Sequence, residues 1–314
     1  MVGARLTRPG RSDIVKSMRR FIFAALCVGV AAREIEGQQV PARELLEFPI
    51  TAVAELAPLA GTVAGGLWNP ASIAAAPGGA GIASAAALNT PIAQGVTAQH
   101  VGVSGRLRDG LFGGASFTHA GVSDLIRTDT DPSTDGGDIP YGTSIYSATI
   151  AWRRRNLVVG GALRYRSGEA DMDRGGALSS DVGLRADSLF GTRLRAAFST
   201  FLLSPTGGSR ELRSLLAAAQ LPVYSDSVAE AAIGYAFQST RLYGHEHYLN
   251  SSVRWRRIEA RGGVAQHDGL GTRTRRLRLG LGLQHARYLV GLAREDSGVG
   301  LGASYQFTLT AMFK

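Results

Sequence analysis

Side chains able to do chemistry gather in three places. The run Gly-His-Glu-His puts His245 and His247 on one face of an alternating segment and Glu246 on the other. A metal would need a third ligand on the imidazole face, and His267 and His285 are merely available elsewhere, so the run reads as a solvated or girdle position of a strand. The turn-rich stretch Leu125 to Gly142 carries Asp129, Asp131, Asp135 and Asp138, oxygen ligands of the kind Ca²⁺ takes. Ser133 breaks the EF-hand spacing and no glycine stands at the sharp-turn position, so the stretch reads as a solvated surface loop. The third gathering is arginine at alternate positions: Arg164 and Arg166, Arg193 and Arg195, Arg254 and Arg256, Arg276 and Arg278. No G-x-S-x-G, phosphate loop or H-E-x-x-H is present. The expectation is a non-enzyme without cofactor or metal.

The front of the chain reads as a secretory signal. Arg5, Arg8, Arg11, Lys16, Arg19 and Arg20 precede the apolar run Phe21 to Ala32, which is shorter than a spanning helix requires. Val30 and Ala32 place cleavage after Ala32, and Met18 is an alternative start. Cys27, the one cysteine, falls inside this leader, and Leu26 is a poor neighbour for lipid attachment. The mature chain then offers no disulfide or thiolate site. Only Asp13 opposes the leader's six basic residues, so the remainder carries +4 of the +9 net charge. Lys16 and Lys314 are the only lysines, and the arginines form no nucleic-acid reading motif.

From about residue 80 the period is two. Leu277, Leu279, Leu281 and Leu283 oppose Arg276, Arg278, Gly280 and Gly282, and Val159, Leu163 and Tyr165 oppose Arg164 and Arg166. In the same way Leu194, Ala196, Phe198 and Leu202 oppose Arg193 and Arg195, and Val253 and Trp255 oppose Arg254 and Arg256. Such runs fall at about 80–89, 92–105, 111–124, 143–154, 157–167, 178–187, 191–203, 227–238, 246–256, 258–268, 273–285, 287–295 and 300–313. They exceed the usual 5 or 6 residues of soluble strands and match the roughly 9–11 of a tilted membrane strand. In lipid every backbone group must be paired, so the fold class is all-β, a closed transmembrane antiparallel β-barrel, with a soluble β protein as the alternative. Single-chain bacterial barrels have even strand numbers, so thirteen runs imply one missed and about fourteen strands. The trouble spots are Ser239 to Arg257 and the connection before residue 80.

Two further segments bear on placement. Tyr305, Phe307, Leu309, Ala311 and Phe313 share one face of the last strand, which resembles the C-terminal signal that outer-membrane barrels present to their assembly machinery. It departs from that pattern in ending on Lys314. Between strands, Ser209 caps an expected short helix through Leu221, with Leu212, Leu215, Leu216 and Ala219 at helical spacing, packing on a barrel mouth or binding a partner.

Residues 33–79 belong neither to the leader nor to the strands. Ala42 to Gly66 suggests one or two helical turns and a small-residue passage, followed by Trp68-Asn69-Pro70-Ala71. Asn before Pro favours a turn of fixed shape, able to fold back into a barrel and stop it. Gly-Leu-Trp-Asn-Pro-Ala-Ser resembles the Asn-Pro-Ala element of the FadL-like outer-membrane superfamily, which includes the PorV and PorQ proteins. The resemblance covers Trp68, Asn69, Pro70, Ala71 and the overall layout, not the ligand pockets. It implies residues 1–32 as signal peptide, 33–79 as an N-terminal plug and 80–314 as the barrel. It further implies an outer-membrane location and passive, plug-gated transport of small hydrophobic molecules. The PorV-like alternative is a barrel serving a secretion system through protein contacts. The arginine-rich face fits neither cleanly: Arg164, Arg166, Arg185, Arg193, Arg195, Arg254, Arg256, Arg261, Arg276 and Arg278, read as lumen-facing, would make the lumen electropositive unless Asp171, Asp173, Asp181, Asp187 and Glu259 pair with some of them; an anion-preferring or structural porin is the third reading.

Overall fold

Alternation of apolar with polar or small residues builds fourteen antiparallel strands that close on themselves. The computed structural model describes residues 40–47, 50–61, 63–75, 80–89, 95–123, 125–127, 137–203, 214–240, 244–269, 271–296 and 302–313. The leader with Cys27, the loop residues Asp129, Asp131 and Asp135, and the cap Ser209 lie outside them.

The strands are β1 (Ala80–Asn89), β2 (Val96–Arg108), β3 (Leu111–Val122), β4 (Tyr141–Arg154), β5 (Leu157–Ala170), β6 (Asp173–Ala186) and β7 (Arg195–Phe201). They continue with β8 (Ser214–Ser225), β9 (Ala229–Thr240), β10 (Gly244–Trp255), β11 (Ile258–Gly269), β12 (Thr272–His285), β13 (Tyr288–Asp296) and β14 (Ala303–Phe313). Each pairs with its neighbour in sequence, and β14 closes on β1 from Phe313 opposite Ala80 to Ser304 opposite Asn89. No sheet edge is left, which is the condition for crossing a bilayer.

The missed strand is β8. The expected helix to Leu221 is instead extended from Ser214, with Leu215, Leu221 and Val223 outward and Ser214, Leu216 and Ala218 inward. Leu-Leu-Ala-Ala-Ala satisfies both periods, and pairing with β7 and β9 decides in favour of the strand. Pro222 falls where the register shifts against β9, a bulge that tolerates a residue without an N–H.

One end of the barrel has tight connections. Asp109-Gly110, Arg155-Asn156, Arg256-Arg257 and Ala286-Arg287 are two-residue turns between strands. Gly110, Arg155, Arg256 and Ala286 take the left-handed backbone such turns need, at φ 72°, 54°, 52° and 50°. Asp226 turns β8 into β9 by accepting from the Tyr224 hydroxyl and the Ala229 and Val228 amides, which hold its carboxyl below the usual range. The first and last strands also begin and end here, as an even strand number requires. The other end carries the longer connections after β3 and β7.

The outer face is apolar around the circumference. Leu277, Leu279, Leu281 and Leu283 expose 42, 46, 60 and 49% of their surface, and Val101, Leu163, Val182, Ile233 and Phe307 stand out in the same way. A belt of this extent is far beyond what a water-soluble monomer carries. Aromatic residues mark it: Phe117, Tyr146 and Tyr165 sit in adjacent strands with centroids 5.0 and 6.4 Å apart, and Trp152, Trp255, Tyr288 and Phe313 lie toward the tight turns. Arginine near the midplane of the lipid face costs about 2–4 kcal/mol. Leu281→Arg should therefore lower the barrel's stability by that amount in a urea titration from lipid vesicles; an unchanged midpoint would show that this face does not meet lipid.

Candidate functional site

The lumen is filled by the chain's own front end. The described residues between 40 and 75 form four single 3-10 turns, Arg43–Glu47, Ala57–Leu59, Val63–Leu67 and Pro70–Ala74, where one or two helical turns were expected. They touch the wall on all sides. Val53 N–H donates to Gln306 of β14, Asn250 of β10 donates to the Ala54 carbonyl, and Arg261 of β11 meets Glu55. Arg185 of β6 donates to the Leu59 carbonyl and Ser199 of β7 to the Trp68 carbonyl. A segment that reaches β6, β7, β10, β11 and β14 of a closed barrel can only lie inside it. Pro41 packs on Gly168 near the long-loop end, and Pro70 on Gly160 near the tight turns, so the segment runs the length of the lumen.

The Trp-Asn-Pro-Ala stretch is its best-fixed part. Asn69 is extended, and its Oδ1 accepts from the Ala71 N–H at 2.9 Å, which caps the turn begun by Pro70. Its Nδ2 donates to the Pro58 carbonyl at 2.8 Å and to the Leu184 carbonyl of β6 at 3.2 Å. One buried amide thus ties together two parts of the segment and the wall. Trp68 donates from Nε1 to Thr51 Oγ1 at 2.8 Å and packs on Phe201 with centroids 5.0 Å apart. Ala71, Ile73 and Ala74 pack on Phe112, Ala151 and Val158.

The wall is shaped to receive this turn. Gly160 and Gly183 are register partners on β5 and β6. A Cβ on Gly160 would stand 2.5 Å from Ala71 N and Pro70 C, and one on Gly183 2.0 Å from Asn69 Oδ1. Only glycine admits the backbone so close. Some of the chain's 41 glycines therefore form a cradle.

The arginines divide into three groups. Arg164 and Arg166 are buried on the inner face of β5; Arg164 Nε meets Asp181 Oδ2 at 2.7 Å with both side chains wholly inaccessible. Arg195, Arg254, Arg276 and Arg278 also face inward, and each has a carboxylate. Arg193 and Arg256 correct the sequence reading: both are exposed in turns at the tight end, because β7 begins only at Arg195 and β10 ends at Trp255. Leu202, expected among the outward apolar residues, is buried just past the end of β7.

Nor is the lumen electropositive. Along β7 to β13, Arg195 and Arg254 share Glu230, Arg261 meets Glu259 and Glu55, and Arg276 and Arg278 share Glu246 and Glu295. Five arginines meet five carboxylates, a neutral ladder from one end of the wall to the other. Of the acids named from sequence, Asp181, Asp187 and Glu259 take part in ion pairs with inward arginines. Asp171 instead pairs with Arg127, both exposed, and Asp173 lies at the start of β6. Glu230, Glu246, Glu295 and Glu55 were missed; for the first three the available signal was their place on the inward face of their own strands, whereas Glu55 lies in the lumen segment and carried none.

The remaining sequence candidates fall outside this constellation. His245 and His247 point outward and pack on Phe237, with Glu246 inward. Asp138 forms a bridge to Ile126 at the base of the long loop. No group of three or more metal-ligating side chains occurs among the described residues. Tyr305, Phe307, Leu309 and Phe313 stand exposed on the outer face of β14.

Fold and interior define a fourteen-stranded transmembrane β-barrel whose lumen holds its own N-terminal segment. The fold is similar to solved structures of two toluene transporters. TbuX of Ralstonia pickettii is 12% identical, covering 89% of this chain and 99% of its own at a TM-score of 0.53. TodX of Pseudomonas putida is 11% identical, covering 89% and 98% at 0.54. No protein-family description and no curated protein sequence matches the chain.

Proposed function

We propose that this is an outer-membrane channel for passive passage of small molecules, gated by the segment within residues 33–79. The leader ahead of it directs export, with cleavage after Ala32, and the outward aromatic face of β14 serves recognition by the assembly machinery. The observation that carries the reading is the nature of the contacts holding residues 51–74 inside the barrel. Among the described residues they are hydrogen bonds, side-chain packing such as Trp68 on Phe201 and Ile73 on Phe112, and one ion pair, Glu55 to Arg261, all non-covalent, and the wall closes on itself without them.

The FadL-like resemblance and the two toluene transporters of similar fold favour a hydrophobic cargo. The apolar cluster of Leu46, Ile50, Trp68, Ile145 and Phe201 suits one. A second reading has its own observation. The accessible inner wall is the ladder, where Arg261, Glu259 and Arg276 keep 22, 26 and 25% of their side-chain surface open. A neutral wall of alternating charge favours polar, dipolar solutes over anions.

Planar-bilayer recordings and solute uptake test both. Asn69→Ala with Pro70→Gly removes the cap and the fixed φ while leaving every strand intact. The variant should migrate as a heat-modifiable barrel from outer membranes and conduct severalfold more than the parent chain. Uptake of toluene-like compounds against sugars or zwitterions then separates the two cargoes. Silence of both proteins in the bilayer would remove the channel reading and leave the secretion-system alternative.

A further inference from the structure

The two rims of the barrel treat arginine differently. At the long-loop end the described arginines of the rim are mostly paired: Arg127 with Asp171, Arg273 with Asp268, Arg294 with Asp296. At the tight-turn end, three hairpins set Arg154, Arg155, Arg256, Arg257 and Arg287 on exposed positions, and none of the five meets a carboxylate among the described residues. Two of them, Arg155 and Arg256, occupy left-handed turn positions at φ 54° and 52°, where asparagine or glycine is the ordinary choice.

These guanidinium groups stand where the apolar belt ends. Arg256 lies over the Trp255 ring at 5.1 Å, and Arg287 lies over both Tyr288 at 5.1 Å and Phe313 at 5.6 Å. Each ring belongs to the outward aromatic girdle, so each cation is held at headgroup height, with its stem along the belt and its charge outward. The described carboxylates in this region are engaged by other groups: Asp109 by Arg106, Asp187 by Arg185, Asp226 by Tyr224 and two backbone amides, Glu230 by Arg195 and Arg254.

We infer that the tight-turn rim is a binding surface for anionic phospholipid headgroups, the phosphodiesters of the leaflet that surrounds this end. The chemistry is that of a planar donor fork against phosphate oxygens, for which arginine is suited and lysine less so. Basic residues beside an anionic membrane surface are attracted to it, and the attraction is screened by salt. The inference does not depend on what passes through the lumen.

Two of the three tryptophans, Trp152 and Trp255, lie at this rim, while Trp68 is inside the barrel. Tryptophan quenching therefore reports on lipids around this end. The full chain is reconstituted in phosphatidylcholine containing a fixed fraction of acyl-brominated phosphatidylglycerol, or the same fraction of brominated phosphatidylcholine. The phosphatidylglycerol quencher should act at least twofold more effectively at low salt, and the excess should vanish in half-molar salt. Replacing all five arginines with glutamine should bring the two quenchers level while heat-modifiable mobility is retained. Equal quenching in the parent chain, or an excess that survives in the five-fold variant, would overturn the assignment. If the five-fold variant does not assemble, Arg256→Gln and Arg287→Gln singly should each lower the excess, and no reduction in either counts against it.

Discussion

A Gly160→Val chain should assemble as a barrel and yet expel its Asn-Pro-Ala turn from the wall. The strand itself accepts valine, whose branched side chain suits the pleated sheet. The lumen does not, because the first added carbon already lies 2.5 Å from the backbone of Pro70 and Ala71. Overpacking of this kind costs about 1–3 kcal/mol when a core can shift to absorb it. Here the movable partner is the segment, since the wall is locked by hydrogen bonds to β4 and β6 along its length. Displacing the turn strips Asn69 of its bonds to Pro58 and Leu184, and it draws Trp68 away from Thr51 and Phe201. Trp68 should then become open to aqueous acrylamide, and single-channel conductance should rise severalfold. The neighbouring Gly161 is the control. It faces the other way, and a Cβ there would meet nothing nearer than the Asp181 carbonyl at 3.8 Å. Gly161→Val should leave both readings at the parent level. Loss of quenching protection in both variants alike would mean that valine disturbs β5 itself and that the cradle is not what holds the turn.

The contrast between these adjacent glycines also shows what a single sequence can convey. The strands of the barrel were legible because membrane and lumen impose opposite demands on alternate residues, as in the leucine ladder of β12. β8 escaped because Leu-Leu-Ala-Ala-Ala fits a helix as well as a strand, and only pairing with β7 and β9 separates the two. The rigid turn at Asn69-Pro70 could be read from its residue types, since the cap and the fixed φ are local. Its partners could not. Alternation sets Gly183 on the face of Asp181 and Arg185 and Gly161 on that of Val159 and Leu163, but only the fold places Gly183 against Asn69. Charge pairing was hidden for the same reason. Arg261 and Glu55 are 206 positions apart, and the lumen looked electropositive until the register brought Glu246 and Glu295 to Arg276 and Arg278. Arg193 and Arg256 were misplaced through strand-boundary errors at turns, four residues at the start of β7 and one at the end of β10.

Asp181→Ala should be among the most destabilising single changes in the wall. Its carboxylate is the counterion of Arg164, at 2.7 Å, with neither side chain reaching solvent. It also accepts from the Leu203 amide at 3.0 Å and from Thr200 Oγ1 at 3.4 Å. Removing one member of a buried ion pair leaves the other uncompensated, at a cost of about 3–5 kcal/mol. Among the described residues the guanidinium has no second carboxylate to turn to. Its other neighbours are the Gly66 carbonyl at 3.5 Å and the face of Phe201 at 5.1 Å, and Phe201 in turn supports Trp68. The loss should therefore reach the segment in the lumen, and Trp68 should gain exposure along with the fall in stability. Removing both charges tests whether the pair or the position matters. In Arg164→Met with Asp181→Leu no ion is left buried, and substitutions of this kind are often neutral or stabilising. The double variant should recover most of the stability, short of parity because the Leu203 amide has lost its acceptor. Urea unfolding from vesicles measures all three chains together with Arg164→Met alone, which gives the coupling between the two sites. A coupling of at least about 2 kcal/mol is expected for a pair this deeply buried. Additive single changes would mean that water or the backbone, and not Asp181, satisfies Arg164.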